Sequence, residues 1–333
     1  MKEIKMVSTV TFGVIAYNEH QYLPELLQNL LEQTYPRNLT EVILVDGQSS
    51  DDTKQIMEAF REKYLAEYRS IQVLDNPKRV QPAGWNVVIE NSKADVILRI
   101  DAHAKLPADF IERNMACINS GEYVCGGPRE NIIDDDTPWK RMLLDAEQSL
   151  FGSGFAAYRR ETEERTYVKS VFHGAYRREV FANAGTFNEN LIRTEDNEIH
   201  YRLRKNGYNI CYDPTIRSYY QTRNTLPRML KQKYQNGLWI GKTIYVCPQC
   251  ISVFHLIPFA FVCALTGCTV LAFLGIRWLL AALVGAYLLF VACNMLTCLF
   301  KTKNKMDIFL PIVYFLMHVC YGAGTIVGLL KKE

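Results

Sequence analysis

The stretch RIDAHA places Asp101 and His103 two positions apart at the end of the apolar run that starts at Asp95. Side chains two positions apart lie on the same side of an extended chain, so this carboxylate and this imidazole would converge. Together they could hold a divalent cation. An ordinary strand end followed by a polar turn would give the same six letters, so the surrounding elements have to decide between the two interpretations.

Four apolar runs of strand length are separated by helical patterns. The runs are Val7–Tyr17, Glu41–Asp46, Ile71–Asp75 and Asp95–Ile100. Regularly spaced leucines follow the first run, a helix capped by Asp51 or Asp52 follows the second, and a helix over 82–92 follows the third. This order predicts an α/β fold with a mainly parallel sheet and flanking helices. Ligands bind such sheets at the carboxyl ends of the strands, where polar residues follow each run here.

The glycine-rich signatures of phosphate-binding loops, GxGxxG and GxxxxGK[ST], do not occur in the sequence. Dinucleotide-binding and P-loop proteins are therefore disfavoured. A phosphate-bearing ligand at this edge would instead need a metal ion and cationic side chains. Lys78 and Arg79 follow the third run and are predicted to contact such a ligand together with Asp101.

The formal net charge of +3 arises in the C-terminal part, since residues 1–250 contain nearly equal numbers of basic and acidic side chains. A near-neutral N-terminal part argues against a nucleic-acid-binding protein, which would present a basic surface. Nucleic acid is therefore not expected among the partners.

Three stretches lack Asp, Glu, Lys and Arg and are long enough to span a bilayer. They are Ile251–Gly275, Trp278–Phe300 and Ile308–Leu330. The basic loop Lys301–Lys305 between the last two is predicted to be cytoplasmic. This places the N-terminal domain on the same side, and the protein in the cell membrane as a multi-pass protein. A re-entrant third segment, broken near Gly322–Gly324, remains an alternative.

Five stretches resemble the family 2 glycosyltransferases of GT-A fold, and they occur in the family's order. They read VIAYNEHQYLPELLQNLLEQ, EVILVDGQSSDDT, NPKRVQPAGWNVVI, RIDAHA and RTEDNEIHYRLRKNGY. The Asp-Ala-His variant and the three apolar C-terminal stretches are most similar to the bacterial succinoglycan-type exopolysaccharide glucosyltransferases. The resemblance implies a nucleotide-sugar donor, a divalent cation (Mn²⁺ or Mg²⁺) and inversion at the anomeric carbon.

The resemblance also implies roles for individual residues. Ala16, Tyr17 and Glu19 would border the nucleotide base and ribose, and Asp46 would hydrogen-bond the base, usually uracil. Asp101 and His103 would bind the metal on the diphosphate, and Asp196 would be the catalytic base. Two departures stand out: the family's common VDDGS is VDGQS here, and His103 replaces a second aspartate. Neutral imidazole suits Mn²⁺ but brings no charge, so weaker Mg²⁺ binding is expected.

The residues around Asp196 support its role independently. Thr194-Glu195-Asp196 is predicted to open a helix, where the helix dipole favours an ionised carboxylate. An ionised carboxylate suits a base that takes a proton from a sugar hydroxyl. The plain alternative is an acid that only complements the dipole. Glu195 is the second candidate for the base and is otherwise expected on the acceptor side.

Residues 223–250 form a basic segment with an apolar stripe before the first apolar stretch, which predicts a helix in the membrane interface. Processive synthases that resemble this family carry Gln-x-x-Arg-Trp in this region. Gln232 and Trp239 are therefore predicted on the acceptor and interface side, but no arginine precedes the tryptophan. Processive synthesis is therefore disfavoured. The predicted domains are 1–222 (cytosolic, GT-A), 223–250 (interface segment) and 251–330 (transmembrane).

The combined prediction is a membrane-bound inverting glycosyltransferase in exopolysaccharide or capsule biosynthesis. It would transfer a sugar from a UDP-sugar to a lipid-linked saccharide, with the bilayer and other polysaccharide-assembly proteins as partners. Two alternatives remain. One is a polyprenyl-phosphate glycosyltransferase, and the other is a non-catalytic membrane component of a polysaccharide export assembly.

Overall fold

The structure, a computed structural model, describes residues 6–149, 152, 163–222 and 225–331. The chain divides into two compact units, one of residues 1–130 and 157–221 and one of residues 131–156 and 222–333. The predicted boundary at residue 222 coincides with the start of the second unit's main part. Residues 131–156, expected in the first domain, group with the second unit instead, because a helix in this segment contributes to that unit's core.

The described regular elements are bounded as follows. The strands are β1 (Val10–Ala16), β2 (Thr40–Asp46), β3 (Ser70–Asp75), β4 (Val96–Asp101), β5 (Ala104–Lys105), β6 (Val124–Gly126), β7 (Arg129–Ile132), β8 (Thr166–Tyr167), β9 (Ala175–Arg177), β10 (Ile210–Tyr212) and β11 (Ser218–Gln221). The α-helices are α1 (Leu23–Leu31), α2 (Thr53–Tyr64), α3 (Gln81–Asn91), α4 (Phe110–Asn119), α5 (Pro138–Gln148), α6 (Glu179–Ala184), α7 (Glu195–Lys205), α8 (Leu226–Val246), α9 (Ile257–Phe273), α10 (Trp278–Thr302) and α11 (Leu310–Leu330).

The first unit is built on a mixed sheet with the strand order β3-β2-β1-β4-β9-β6-β10-β8. Strands β1 to β4 are mutually parallel, which confirms the predicted βαβαβαβ half. Strand β9 pairs antiparallel with β4 and with β6. Strands such as β6, β9 and β10 have only three residues each, too few to show a hydrophobic period in the sequence.

Both faces of this sheet are buried, which explains the continuous apolar strands. In β2, Val42 and Leu44 lie in one core cluster, and Ile43 and Val45 lie in another. Helix α2 begins as predicted next to Asp51, whose carboxylate accepts a hydrogen bond from the Thr53 backbone at 3.0 Å. A second, three-stranded sheet has the order β5-β11-β7.

The second unit contains three segments that are long and apolar enough to cross a membrane, judged by length and composition. They are Val253–Phe273, Trp278–Thr302 and Lys305–Leu330, and they match the three predicted stretches. The three segments differ in how many residues of their most apolar stretch are buried. The buried share is 0% in the first segment, 6% in the second and 39% in the third. Of the three, the segment that contains α11 is therefore the one most buried within the unit.

Helices α8 and α11 pack backbone against backbone through two glycines on each helix. A Cβ atom on Gly324 would meet the Tyr234 carbonyl oxygen at 2.1 Å, and one on Gly328 would meet the Leu238 carbonyl oxygen at 2.1 Å. The residue numbers of the contacting pairs increase in the same direction along both helices, so the two helices run parallel. Only a residue without a side chain permits such a close approach.

The reciprocal contacts come from α8. A Cβ atom on Gly237 would meet the Tyr321 carbonyl oxygen at 2.0 Å, and one on Gly241 would meet the Thr325 carbonyl oxygen at 2.4 Å. We call these four glycines (Gly237, Gly241, Gly324 and Gly328) the glycine seam. The interface segment predicted at 223–250, whose first two residues lie outside the described residues, thus contains a helix with a fixed partner in its own chain.

Helix α5 contributes Met142, Leu143 and Ala146 to the apolar core of the second unit. A charged pair accompanies this packing, because Glu147 and Lys233 are both buried and lie 4.0 Å apart. This apolar face explains why residues 131–156 belong to the second unit although they are separated from its main part in the sequence.

Candidate functional site

The carboxyl ends of the four parallel strands lie side by side, as the sequence predicts. The pairing register aligns Ala16 with Asp46, Asp46 with Asp75, and Ile15 with Asp101. Asp46 and Asp101, both predicted to bind the ligand, therefore end the two strands that flank β1, and Tyr17 directly follows β1. The strand order of the sheet, not the sequence spacing, brings them together.

The backbone at this edge is unusual at three positions. Asn18, Gln48 and Arg79 follow β1, β2 and β3, and all have positive φ angles of 55°, 60° and 56°. Non-glycine residues rarely adopt this conformation, and such strain concentrates at functional sites. Gln48 stands where the family's VDDGS motif has its glycine, so the backbone keeps a glycine-type conformation with a larger residue.

The predicted nucleotide-binding residues have defined partners. The buried Asp46 carboxylate accepts a hydrogen bond from the Ser49 backbone at 3.1 Å, and Tyr17 is 55% exposed. Arg79 donates through Nε to Gln48 Oε1 at 2.7 Å. Lys78 forms an exposed ion pair with Glu189. Both cationic side chains thus lie at this edge of the sheet. Each already contacts another side chain, which a ligand would have to share or displace.

Asp101 and His103 lie where the sequence predicts a metal site. Asp101 ends β4 with 8% of its surface exposed. His103 Nδ1 lies 3.1 Å from Glu19 Oε1, while its Nε2 is buried and has no hydrogen-bond partner among the described residues. A carboxylate that holds one imidazole nitrogen leaves the other to bind a metal, as in many metal sites. These residues fit a divalent cation.

A second histidine, absent from the predicted set, lies beside Asp101. His173 Nε2 is 4.0 Å from Asp101 Oδ2, and His173 Nδ1 is 2.9 Å from Ser218 Oγ. Burial lowers the pKa of His173 well below its ordinary value, aided by the positive charge of Arg129. Among the described residues, no three His, Cys, Asp or Glu side chains already enclose a metal position.

Asp196 lies in the first turn of α7, as predicted, and is held by a buried arginine. Arg99 donates through Nη1 to Asp196 Oδ1, and through Nη2 to Glu195 Oε1 at 2.9 Å. The Arg99 guanidinium packs over Trp85 at 5.0 Å and near Phe187 at 5.4 Å from the ring centres. One arginine thus orients both candidate bases.

The two acids differ in exposure and in protonation. The Asp196 side chain is 22% exposed, whereas that of Glu195 is 3% exposed. Burial alone would raise the pKa of Asp196, but the Arg99 charge holds it below its usual range. Burial raises the pKa of Glu195 well above its usual range, and the charge of Asp196 adds to this. Asp196 is therefore the more accessible acid and the one whose ionised form is favoured, whereas the environment of Glu195 favours its protonated form.

A buried histidine stabilises the helix behind this pair. His200 Nδ1 lies 2.8 Å from Ser170 Oγ, and His200 Nε2 lies 2.8 Å from the Tyr176 hydroxyl. Burial lowers the pKa of His200 to about 4. It is therefore neutral near pH 7 and holds the middle of α7 by hydrogen bonds instead of by charge.

Gln232 and Trp239 lie on α8 in the second unit, and the Lys242 ammonium is 5.1 Å from the Trp239 ring centre. Their predicted contact with the acceptor or the membrane interface remains a prediction. For the packing of α8, the glycines were a stronger sequence signal than Gln232 and Trp239. Gly237 and Gly241 have the same four-residue spacing as Gly324 and Gly328.

Arg99 and His173 are the site residues that sequence reasoning missed. An arginine inside the buried strand VILRID was a visible signal, because a buried charge needs a buried partner. His173 gave no comparable signal, since neither its distance from Asp101 nor its contact with Ser218 follows from the sequence pattern.

Comparisons with known proteins identify the family and several relatives of the chain. A profile of the family described as Glycosyl transferase family 2 matches residues 11–185, more than half of the chain. The chain is 26% identical over 328 residues to the dolichyl N-acetyl-alpha-D-glucosaminyl phosphate 3-beta-D-2,3-diacetamido-2,3-dideoxy-beta-D-glucuronosyltransferase of Methanococcus voltae, and the alignment covers 97% of each chain. It is 28% identical over 235 residues to the succinoglycan biosynthesis protein ExoA of Rhizobium meliloti (strain 1021), covering 68% of each.

A solved structure has the same fold. The mannosyltransferase PcManGT from Pyrobaculum calidifontis, in complex with GDP-Man and Mn²⁺, matches with a TM-score of 0.61 at 15% identity. The match covers 95% of this chain and 86% of that one. It confirms the predicted GT-A fold class.

Proposed function

Because the chain belongs to glycosyl transferase family 2, we propose that it is an inverting enzyme of the membrane. It transfers one sugar from a nucleotide-sugar donor to a lipid-linked saccharide during polysaccharide assembly. Family and relatives agree that it is a glycosyltransferase, as the resemblance implied. The observation that carries the proposal is the ionised Asp196, oriented by Arg99 in the same unit as the Asp101–His103 strand end.

The donor binds across the carboxyl ends of β1 to β4. Asp46, Ala16, Tyr17 and Glu19 border the nucleoside, with uridine as the predicted base. Lys78 and Arg79 lie at the same edge and offer positive charge to the diphosphate. Support comes from the strand register and from the strained backbone at this edge.

Asp101 and His103 hold a divalent cation, Mn²⁺ or Mg²⁺, in this proposal. When bound, such a cation neutralises negative charge on the departing diphosphate. Glu19 orients the His103 imidazole by its contact with Nδ1, and the unpartnered Nε2 supports the assignment.

Asp196 accepts the proton of the attacking hydroxyl. The acceptor oxygen forms a bond to the anomeric carbon while the bond from that carbon to the diphosphate oxygen breaks, so the configuration inverts. The released nucleoside diphosphate carries the bonding electrons, and the hydroxyl proton goes to Asp196. Glu195 is less suited to this role because it is buried and burial raises its pKa.

The relative of Methanococcus voltae supports a saccharide acceptor over a bare lipid phosphate. Its name describes transfer to a dolichyl N-acetyl-alpha-D-glucosaminyl phosphate, and the alignment covers nearly the whole chain. The three apolar segments would hold the enzyme in the membrane where such an acceptor lies. The first unit and the basic loop Lys301–Lys305 are proposed to face the cytoplasm.

The test compares Asp196→Asn with a control at another helix start. Losing a general base typically lowers the rate about 10²–10⁴-fold, and nucleotide affinity should barely change because the base contacts the acceptor. Asp109→Asn is the matched control, since Asp109 precedes α4 and pairs with Arg113 on the surface. Transfer would be measured in membranes, and UDP binding by titration.

Wild-type transfer by Asp196→Asn would refute the role of Asp196. Combined loss of transfer and UDP binding would instead identify a structural acid. Product analysis separates the acceptors: an oligosaccharide-lipid supports the proposal, whereas a monosaccharide-phospholipid identifies a lipid-phosphate acceptor. Failure of purified membranes to release nucleotide from any donor sugar would favour the non-catalytic alternative.

A further inference from the structure

The helices α8 to α11 of the second unit do not alternate in direction as four successive membrane spans would. Helices α8 and α11 run parallel, as the contacts of the glycine seam show. Helices α9 and α10 form an antiparallel hairpin, because only Leu274–Arg277 separate them and the rings of Phe261 and Tyr287 stack at 4.6 Å. The connections 247–256 and 303–309 contain only 3₁₀ turns and irregular backbone, which do not occur exposed to lipid in the hydrocarbon core. If all four helices crossed, α11 would run antiparallel to α8, so at least one of them does not cross.

Helix α8 is the least suited of the four to the hydrocarbon core. It contains no acidic residue but several cationic ones, which are Arg228, Lys231, Lys233 and Lys242. Charged side chains inside a bilayer are unfavourable and normally pair within the protein. The buried Lys233 lies 4.0 Å from Glu147 on α5, a helix that carries further charges of both signs. Placing α8 across the bilayer would therefore draw a second charged helix into the lipid.

Helix α11 shares the depth of α8, because the two helices are in contact along most of the second half of α11. The contacts begin at Gly324, where a Cβ atom would meet the Tyr234 carbonyl oxygen. They extend to Leu329, whose carbonyl oxygen accepts a hydrogen bond from the Tyr245 hydroxyl at 2.7 Å. In the first half of α11, Val313 shares an apolar cluster with residues of α5. Each half of α11 thus packs against a helix that carries charges.

Helix α11 also passes α9 at an angle, close to the start of α9. The rings of Phe315 and His318 lie 6.4 and 6.3 Å from the Phe261 ring, and a Cβ atom on Gly322 would meet the Pro258 carbonyl oxygen at 2.5 Å. Between the first and last of these residues, α11 advances by roughly 10 Å along its axis. The contacts on α9 nevertheless all fall within its first two turns. A span running beside α9 would instead meet residues progressively further along α9.

We propose that α11 does not cross the bilayer, and that α8 and α11 form one helical pair in the membrane interface on the side where α9 begins and α10 ends. Only α9 and α10 then span. Exposed apolar side chains of the pair, such as Ile312 and Tyr245, reach the acyl chains, and the cations of α8 meet anionic headgroups. Lys331 then lies on the same side as the basic loop Lys301–Lys305, in agreement with the charge rule. Only the assignment of that side to the cytoplasm rests on the proposed function.

Labelling of single cysteines tests the side on which α11 ends. Lys331→Cys, Lys303→Cys and Arg277→Cys would be made in the full-length protein after replacement of the accessible native cysteines. Intact and permeabilised cells would then be treated with a membrane-impermeant maleimide. We expect residues 331 and 303 to be labelled only after permeabilisation, and residue 277 in intact cells. Labelling of residue 331 together with 277 would overturn the inference, whereas labelling of 331 together with 303 in intact cells would support it and reverse only the proposed cytoplasmic side.

Two native cysteines provide a matched measurement of depth. Cys320 lies ten residues after Leu310 and Cys268 eleven after Ile257, so each is roughly 15 Å along its helix. Both are partly buried. Each would be kept as the single cysteine, spin-labelled in liposomes, and compared for accessibility to oxygen and to a water-soluble nickel complex, with an unchanged melting temperature as the folding control. The label at 268 should lie in the hydrocarbon core and the label at 320 at headgroup depth. Equal depths in the hydrocarbon core would show that α11 spans.

Discussion

At the scale of single residues, the proposed active site depends on one arginine that serves two acids. Arg99 is buried on β4, two positions before Asp101, and contacts both Glu195 and Asp196 on α7. A single positive charge cannot fully compensate two negative ones in a buried site, so protonation of one acid is favoured. The difference in exposure decides which acid stays ionised, and hence which one can act as a base.

Replacing Arg99 should shift the pH dependence of transfer. The pKa of Asp196 is held below its usual range, so the base is ionised and the rate is sustained down to acidic pH. Arg99→Met removes that charge, and the acid limb of the kcat profile should move to higher pH by about 1–3 units. Arg99→Lys should shift it less.

The surface arginine of the Arg113–Asp109 pair provides the control, because Arg113→Met removes a similar but exposed ion pair. Its pH profile should match the wild type. An unshifted acid limb in a folded Arg99→Met protein would show that another group titrates in transfer.

The metal preference should respond to His103. His103→Asp restores the family's carboxylate pair and adds a negative charge, so it should retain activity and use Mg²⁺ more effectively. His103→Ala should weaken Mn²⁺-dependent donor binding sharply. Nucleotide binding would be titrated at several concentrations of each ion. Full activity of His103→Ala at low Mn²⁺ would contradict the assignment.

The sequence could indicate the positions of residues at a strand end or a helix start, but not those of residues that depend on packing. Asp46 and Asp101 end their strands and Asp196 lies in the first turn of its helix, as expected, whereas their roles remain predictions from the family resemblance. Arg99 and His173 are defined by neighbours far away along the chain, which no local pattern reveals. Donor binding by Asp46 and the proton transfer by Asp196 still await their tests.

At the scale of elements, the sequence predicted long, periodic segments well and short ones poorly. The four parallel strands are continuous apolar runs, and these strands and the helices predicted after the first three were found within a few residues. The antiparallel strand β9 and the small sheet of β5, β7 and β11 carry two to four residues each. Their pairing depends on tertiary packing, which overrides local preference.

The glycine seam should be essential for the pairing of α8 with α11. Gly324→Ala would place a Cβ atom 2.1 Å from the Tyr234 carbonyl oxygen, so the helices must separate. Such overpacking costs about 1–3 kcal/mol, seen as a lower melting temperature in detergent. Gly267→Ala and Gly285→Ala are controls, because nothing lies within 4 Å of a Cβ atom at either position. Equal stability of the seam and control variants would show that α8 and α11 do not pack this way.

At the scale of the whole molecule, the proposed sidedness can be tested by chemical labelling. Cysteines introduced at residues 303 and 277, after replacement of accessible native cysteines, should react from opposite sides of the membrane. The basic loop predicts that residue 303 faces the cytoplasm and residue 277 faces outside. Labelling of intact cells should therefore modify residue 277 alone. Reaction at residue 303 and none at residue 277 would reverse the proposed orientation.

The parallel pairing of α8 with α11 has a consequence for the order of biosynthesis. Helix α8 leaves the ribosome well before α11, and the hairpin of α9 and α10 is made between them. Translation proceeds at roughly 5–20 residues per second, so the glycine face of α8 is exposed for several seconds before α11 has been made. A premature stop anywhere before Leu310 would leave that face uncovered. Quality-control proteases should therefore remove proteins shortened by the last helix alone, although every residue proposed for catalysis has already been translated.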